Sequence, residues 1–127
     1  MNSRLACTTP LLLLEDDPDV RELLVEMLAG AGYNVLCACD GPSAVHVAAA
    51  AKPKINLLIT NTRLRNMTVH DVVANLQQHN SALRILYISG HLDETVAKLL
   101  GNQVDRAFLL KPFTKDALLR KINDVLF

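Results

Sequence analysis

The sequence has no tryptophan, only two tyrosines and three phenylalanines. A cofactor that needs flanking aromatic rings, such as a flavin, would find little to stack on. Charge of one sign is missing too, because 13 Lys and Arg balance 13 Asp and Glu. That balance argues against the basic patch of a nucleic-acid-binding module. With 50% hydrophobic residues, the chain also lacks the composition of a disordered one. No apolar run approaches the roughly 20 residues needed to cross a membrane. Met1 to Pro10 contains no apolar h-region, so no signal peptide is read there and a cytoplasmic protein is expected. Three cysteines make no disulfide framework. Cys37 and Cys39 stand two apart on a predicted strand, roughly 6–7 Å along its rise, too far to bridge without distortion. They are read as core thiols. His46, His70, His79 and His91 show no ligand spacing and are read as surface residues.

What is present starts with Leu11-Leu12-Leu13-Leu14-Glu15-Asp16-Asp17. Four apolar residues without alternation suit a strand buried on both faces of a parallel sheet. The run breaks into three carboxylates, and Pro18 then suits the first turn of a helix with Asp17 as its N-cap. The acids therefore belong at the carboxyl end of a central strand, where open α/β sheets bind ligands. Crowded carboxylates raise one another's pKa unless a cation neutralises them, and hard oxygen donors are what Mg²⁺ prefers. An acidic helix start that merely favours the helix dipole accounts for Asp17 and Asp19. It accounts less well for Glu15 and Asp16, which still lie on the strand tip.

The remaining chain alternates. A helix with Val20, Leu23, Leu24, Met27 and Leu28 on one face is closed by Gly30 and Gly32. Asn34 to Cys39 is the second strand, and Asp40-Gly41-Pro42 turns into a short Ala-rich helix that Lys52-Pro53-Lys54 breaks. Ile55 to Thr60 is the third strand, and Val69, Val72, Val73 and Leu76 stripe the next helix. Arg84 to Ser89 is the fourth strand. A helix is predicted over 93–100, a fifth strand over Ala107 to Leu110, and a last helix from about Thr114 to Leu126. Five such βα units predict a doubly wound (βα)5 parallel sheet, covered on both faces by helices. The expected layout is a flexible tail over residues 1–8 and one domain over 9–127, long enough for a proper core.

Four stretches carry a family likeness: LLLLEDDPDVRELL, INLLIT, ILYISG and AFLLKPF. In this order and spacing the chain resembles the receiver domain of two-component response regulators, from about Leu11 onward. The resemblance implies a flavodoxin-like strand order 2-1-3-4-5 and a role in phosphorelay signal transduction rather than enzyme catalysis. In such receivers an aspartate at the end of the third strand accepts a phosphoryl group from a phosphohistidine. Carried over, Glu15 and Asp16 match the acid pair that holds Mg²⁺, and the carbonyl of Arg63 a third metal contact. Ser89 matches the switch hydroxyl, Phe108 the switch aromatic and Lys111 the lysine that touches the phosphoryl group. The Lys111-Pro112 bond is expected to be cis.

The acceptor is where this sequence departs from the family. Asn61 stands in the place of the aspartate, and an aspartyl phosphate requires a carboxylate nucleophile. Arg65 replaces a usual Pro, and Val69 a usual Gly, in the same loop. The reading is a pseudo-receiver: a protein-interaction module that works without phosphorylation, with Mg²⁺ held weakly or lost. The alternative is an ordinary receiver whose acceptor Asp was changed to Asn, or one that uses Thr60 or Thr62. A small-ligand binder on the same fold is a distant third. A phosphohydrolase would want Asp-x-Asp at the first strand, which Glu15-Asp16-Asp17 does not offer. Taken alone, Ser89 could simply turn the chain before Gly90, Phe108 could be core, and Lys111 could be an ordinary strand-end lysine; beside two acids and before Pro112, Lys111 is expected to pair with Glu15 or Asp16. The resemblance implies a histidine kinase, effector or dimer mate as partner. The docking face would be built from 93–100, 107–110 and 114–126, with Arg120 and Lys121 on it.

Overall fold

A computed structural model describes residues 9–91, 97–98, 101 and 107–127. Five parallel strands form one sheet in the order β2-β1-β3-β4-β5, namely β1 Pro10–Leu14, β2 Asn34–Ala38, β3 Leu57–Asn61, β4 Arg84–Ser89 and β5 Phe108–Leu110. Four helices are described: α1 Pro18–Gly30, α2 Gly41–Ala50, α3 Val69–His79 and α4 Lys115–Leu126. This is the flavodoxin-like order. The expected tail over residues 1–8, and all of the helix expected over 93–100 except the helical Ala97 and Lys98, lie outside the described residues.

Side-chain alternation divides the apolar run of β1 between two cores. Leu12 and Leu14 join Ala44, Val69, Val72 and Leu76 under α2 and α3. Leu11 and Leu13 join Leu24, Leu28, Leu118 and Ile122 under α1 and α4. Both faces of β1 are dry, which is why its sequence reads as continuous leucine instead of alternating with polar residues. Each fully buried leucine is worth about 1.5–3 kcal/mol relative to exposure, so the four leucines hold β1 firmly at the centre.

Local chemistry starts each helix. The Asp17 side chain accepts from the N–H groups of Asp19 and Val20 at α1. Asp40 and Ser43 form a reciprocal capping box at α2. Thr68 caps α3 and Thr114 caps α4. Beyond the end of α1, Gly32 has φ 95°, a conformation that glycine adopts without steric cost. At Gly41 the requirement is proximity, because an added Cβ would collide with the Met67 Cβ and lie 3.0 Å from Val72 Cγ2. The β3–α3 loop can lie against α2 only because Gly41 carries no side chain.

Two expectations fail. Cys37 and Cys39 are exposed, because β2 is the edge strand and Cys39 lies past its end. Leu23, placed on the inner face of α1, is 52% exposed, whereas Leu24 and Leu28 are buried. An arc of about 100° faces the sheet, and Leu23 lies outside it. The histidines are all exposed as expected. Lys111-Pro112 is cis, and so is Lys52-Pro53. No helix among the described residues is long and apolar enough to cross a membrane.

Candidate functional site

The chain leaves β1, crosses to the edge strand β2 and returns on the other side of β1 as β3. The crevice between β1 and β3 at their carboxyl ends is therefore the switch point of the sheet. Leu14 pairs with Thr60 in register, so the next residues, Glu15 and Asn61, come side by side. The backbone of Glu15 is fixed at both ends. Its N–H donates to the Ala38 carbonyl at 3.1 Å, and its carbonyl accepts from Arg21 Nη1 at 2.9 Å. Its side chain is buried, one of only two polar residues so placed among the described ones; the other is Thr60.

Asn61 bridges the site. Its Nδ2 donates to Glu15 Oε2 at 2.6 Å and to Asp16 Oδ1 at 3.5 Å. Its Oδ1 accepts from Lys111 Nζ at 3.1 Å. The partners dictate this orientation, since only the NH₂ end can face carboxylates and only the oxygen can face an ammonium. Lys111 lies just past β5, anchored by its N–H to the Ser89 carbonyl at 2.8 Å. Its long stem reaches over the end of β4, and Nζ also contacts Glu15 Oε1 at 3.2 Å. The Asp17 N–H donates to Glu15 Oε2 at 3.1 Å, and Arg65 Nε stands 3.5 Å from Asp16 Oδ2.

Each of the four carboxylate oxygens of Glu15 and Asp16 thus has a nitrogen of this chain within 3.5 Å. Two negative charges meet two positive ones, with a neutral amide between them. For Mg²⁺, which the resemblance implies, this donor set is a poor fit. A cation needs lone pairs, and Asn61 presents N–H groups to the acid pair. No group of three His, Cys, Asp or Glu that could hold a metal occurs among the described residues.

Glu15, Asp16, Asn61 and Lys111 are therefore brought together. Of the remaining residues of the expected set, Ser89 borders the site through its carbonyl, which accepts from the Lys111 N–H, while its side chain bonds elsewhere. Ser89 Oγ donates to the His91 carbonyl at 2.8 Å and accepts from its N–H at 3.1 Å, a tight turn of its own. Phe108 is buried in the core cluster that contains Tyr87. Arg63 is exposed in the loop after β3, Arg120 is exposed on α4, and Lys121 is half-buried there. Thr60, a conceivable substitute nucleophile, is fully buried and donates to the Asn61 carbonyl at 2.9 Å. Thr62 is half-buried.

Three neighbours escaped sequence reasoning. Nothing in the sequence pairs Arg21 with the Glu15 carbonyl. Arg65 was noticed only as a departure from the family pattern, and nothing in the sequence paired it with Asp16. Asn66, at φ 71°, donates from Nδ2 to Asp40 Oδ2 at 3.2 Å and ties the β3–α3 loop to the α2 cap. The Asp40 carboxyl is held below the usual carboxylate range, chiefly by the Ser43 N–H and then by the Ser43 hydroxyl.

Comparison with known proteins agrees with this fold. The family model described as response regulator receiver domain matches residues 11–123. The transcriptional regulatory protein GlrR of Escherichia coli is 31% identical over 116 residues, 91% of this chain and 26% of that protein. The chain thus spans about a quarter of that relative's length. Among solved structures, CheY in a CheX–CheY–BeF3–Mg complex from Borrelia burgdorferi superposes with a TM-score of 0.82 at 20% identity, covering 94% of this chain and 90% of that one. A response regulator receiver protein from Pseudomonas putida gives 0.78 at 27% identity, covering 91% and 95%. The acid pair, Asn61 and Lys111 all fall inside the family match, on a sheet with the same fold as these neighbours, and the chain belongs to the response regulator receiver domains.

Proposed function

We propose that this receiver domain works as a protein-interaction module of two-component signalling that needs no phosphorylation. The observation that carries this reading is the Asn61 amide at the tip of β3, its nitrogen on Glu15 and its oxygen on Lys111. In the family pattern that position belongs to the accepting aspartate. An amide oxygen has neither the charge nor the nucleophilicity to form an acyl phosphate. The lysine that would greet an incoming phosphoryl group is already bound to Asn61 and Glu15. The hydroxyl that would respond, Ser89, is engaged with His91.

The output of such a domain is a contact with another protein: a histidine kinase, an effector or a second copy. The face around α4 is proposed for that contact, with Arg120 and Lys121 on it. The mixed charge of α4, which includes Lys115, Asp116, Arg120, Lys121 and Asp124, suits polar, salt-sensitive association. The related CheY was solved in complex with the protein CheX, which supports a protein partner without naming one here.

Incubation with acetyl phosphate and Mg²⁺ followed by intact mass and peptide mapping tests the reading. No phosphoryl adduct is expected. An adduct at Asn61, or one at Thr60 or Thr62, overturns it. The second reading, an ordinary receiver carrying an acceptor changed to Asn, is favoured by the intact Glu15–Lys111 pair. It expects Asn61→Asp to be labelled rapidly and completely, whereas slow, partial labelling favours the interaction module, whose loop also carries Arg65 and Val69.

A further inference from the structure

We infer that Lys111, Arg65 and the Asn61 amide together are a built-in replacement for a divalent cation at the acid pair, so that the folded domain neither binds Mg²⁺ nor gains stability from it. The inference deepens the reading above and rests on its placement of the site. Its basis is that every oxygen of the two carboxylates has a nitrogen of this chain within 3.5 Å. Glu15 Oε1 is met by Lys111 at 3.2 Å, Oε2 by Asn61 at 2.6 Å and by the Asp17 N–H at 3.1 Å. Asp16 Oδ1 is met by Asn61 at 3.5 Å and Oδ2 by Arg65 at 3.5 Å. Crowded carboxylates need positive charge or donors, and here the chain supplies both.

The three replacements are not equal. Glu15 is 3% exposed and Lys111 31%, so their attraction acts in a partly desolvated setting. Arg65 is 71% exposed, and a pair so open to water is screened and weak. Arg65 therefore sets the charge balance more than it holds the structure. Asn61 is the decisive residue, because it is the only one that touches both acids and the lysine. Its nitrogen also faces the acids where a metal would have to sit. A carboxylate at this position would lie beside Glu15 and Asp16, leaving three negative charges against two positive ones.

The charge count makes a conditional prediction. Asn61→Asp converts a site indifferent to Mg²⁺ into one that requires it. The test is thermal unfolding of the whole domain in EDTA and in MgCl₂, with calorimetric titration of MgCl₂ alone and no phosphoryl donor. The parent protein is expected to give no saturable heat and no shift of Tm. Asn61→Asp is expected to melt below the parent in EDTA and to recover with Mg²⁺. A millimolar site at tenfold excess of ion corresponds to roughly 5 °C for a domain of this size. If Asn61→Asp folds only when Mg²⁺ is present, that outcome also supports the inference. Arg65→Gln, a change at an exposed position, removes one positive charge and is expected to give a smaller Mg²⁺-dependent rise in Tm.

Saturable Mg²⁺ binding with stabilisation of the parent protein overturns the inference. So does an Asn61→Asp variant as stable as the parent in EDTA and unmoved by Mg²⁺. Failure here is separable from failure of the proposed function. A parent that binds Mg²⁺ yet takes no phosphoryl group refutes only the built-in cation, whereas a phosphoryl adduct at Asn61 refutes the functional reading.

Discussion

Replacing Lys111 with methionine keeps the stem and removes the ammonium. Oε1 of Glu15 then loses its partner at 3.2 Å, and Asn61 Oδ1 loses its donor at 3.1 Å. Removing one member of a fully buried ion pair costs about 3–5 kcal/mol, and of an exposed pair about 0–1 kcal/mol. Here one partner is 3% exposed and the other 31%. Oε2 of Glu15 also keeps its donors from Asn61 and Asp17. The expected cost is about 2 kcal/mol, between the two limits. An unfolding entropy of about 2.1 cal/mol/K per residue turns that into a fall in Tm of roughly 7 °C. The assay is a double-mutant cycle with Glu15→Gln, read by urea and thermal unfolding. If the lost stability comes from a stranded carboxylate, Glu15→Gln in the Lys111→Met background should recover about 1 kcal/mol or more. Equal stability of Lys111→Met and the parent would refute the reasoning. So would strict additivity in the cycle, since it would mean the two side chains do not sense each other.

Other consequences can be checked with the same instruments. The Asp40 carboxyl lies below its ordinary value of 3.8, first through the Ser43 N–H, so the folded state favours its charged form. The stabilisation is complete above about 3.8 and is lost as pH falls through the lower folded value. The advantage in Tm of the parent over Asp40→Asn should accordingly vanish in strong acid, and an advantage that persists there would contradict this. Gly41→Ala forces a methyl against Met67 and Val72 and should cost about 1–3 kcal/mol by chemical unfolding; an unchanged midpoint would show that the loop yields freely. Arg120→Glu should weaken association with a partner or a second copy, as followed by sedimentation or pull-down at low salt, with Tm nearly unchanged. Association that survives this change but is lost on substitution along α1 would move the docking face.

How much of this protein was open to reading depended on the range of the interaction. Helix starts need only three or four neighbouring residues, so the Asp17 cap before Pro18 was legible and is made by that side chain, whereas Thr114, read only as the approximate start of the last helix, is in fact its cap. The strand Arg84–Ser89 has the bounds that its apolar run predicted, because central strands buried on both faces leave no room for polar residues. The unbroken leucines of β1 likewise announced a parallel sheet. Strand order came with the family resemblance, not from periodicity, and it decides which strands are edges. Cys37 is exposed on the edge strand, and its neighbours in sequence are the same whichever strand it sits on. Leu23 and Leu24 differ by one position and by whether the α1 surface beneath them meets the sheet. The site shows the same division. The presence of two acids, an amide and a lysine at strand ends could be read from sequence. That Asn61 turns its nitrogen to Glu15, 46 positions away, and its oxygen to Lys111, 50 positions away, is settled only when the register of β1 against β3 and the reach of Lys111 over β4 bring those atoms within hydrogen-bonding distance. Hydrogen bonds act over about 3 Å, and only the folded chain brings residues so far apart in sequence that close.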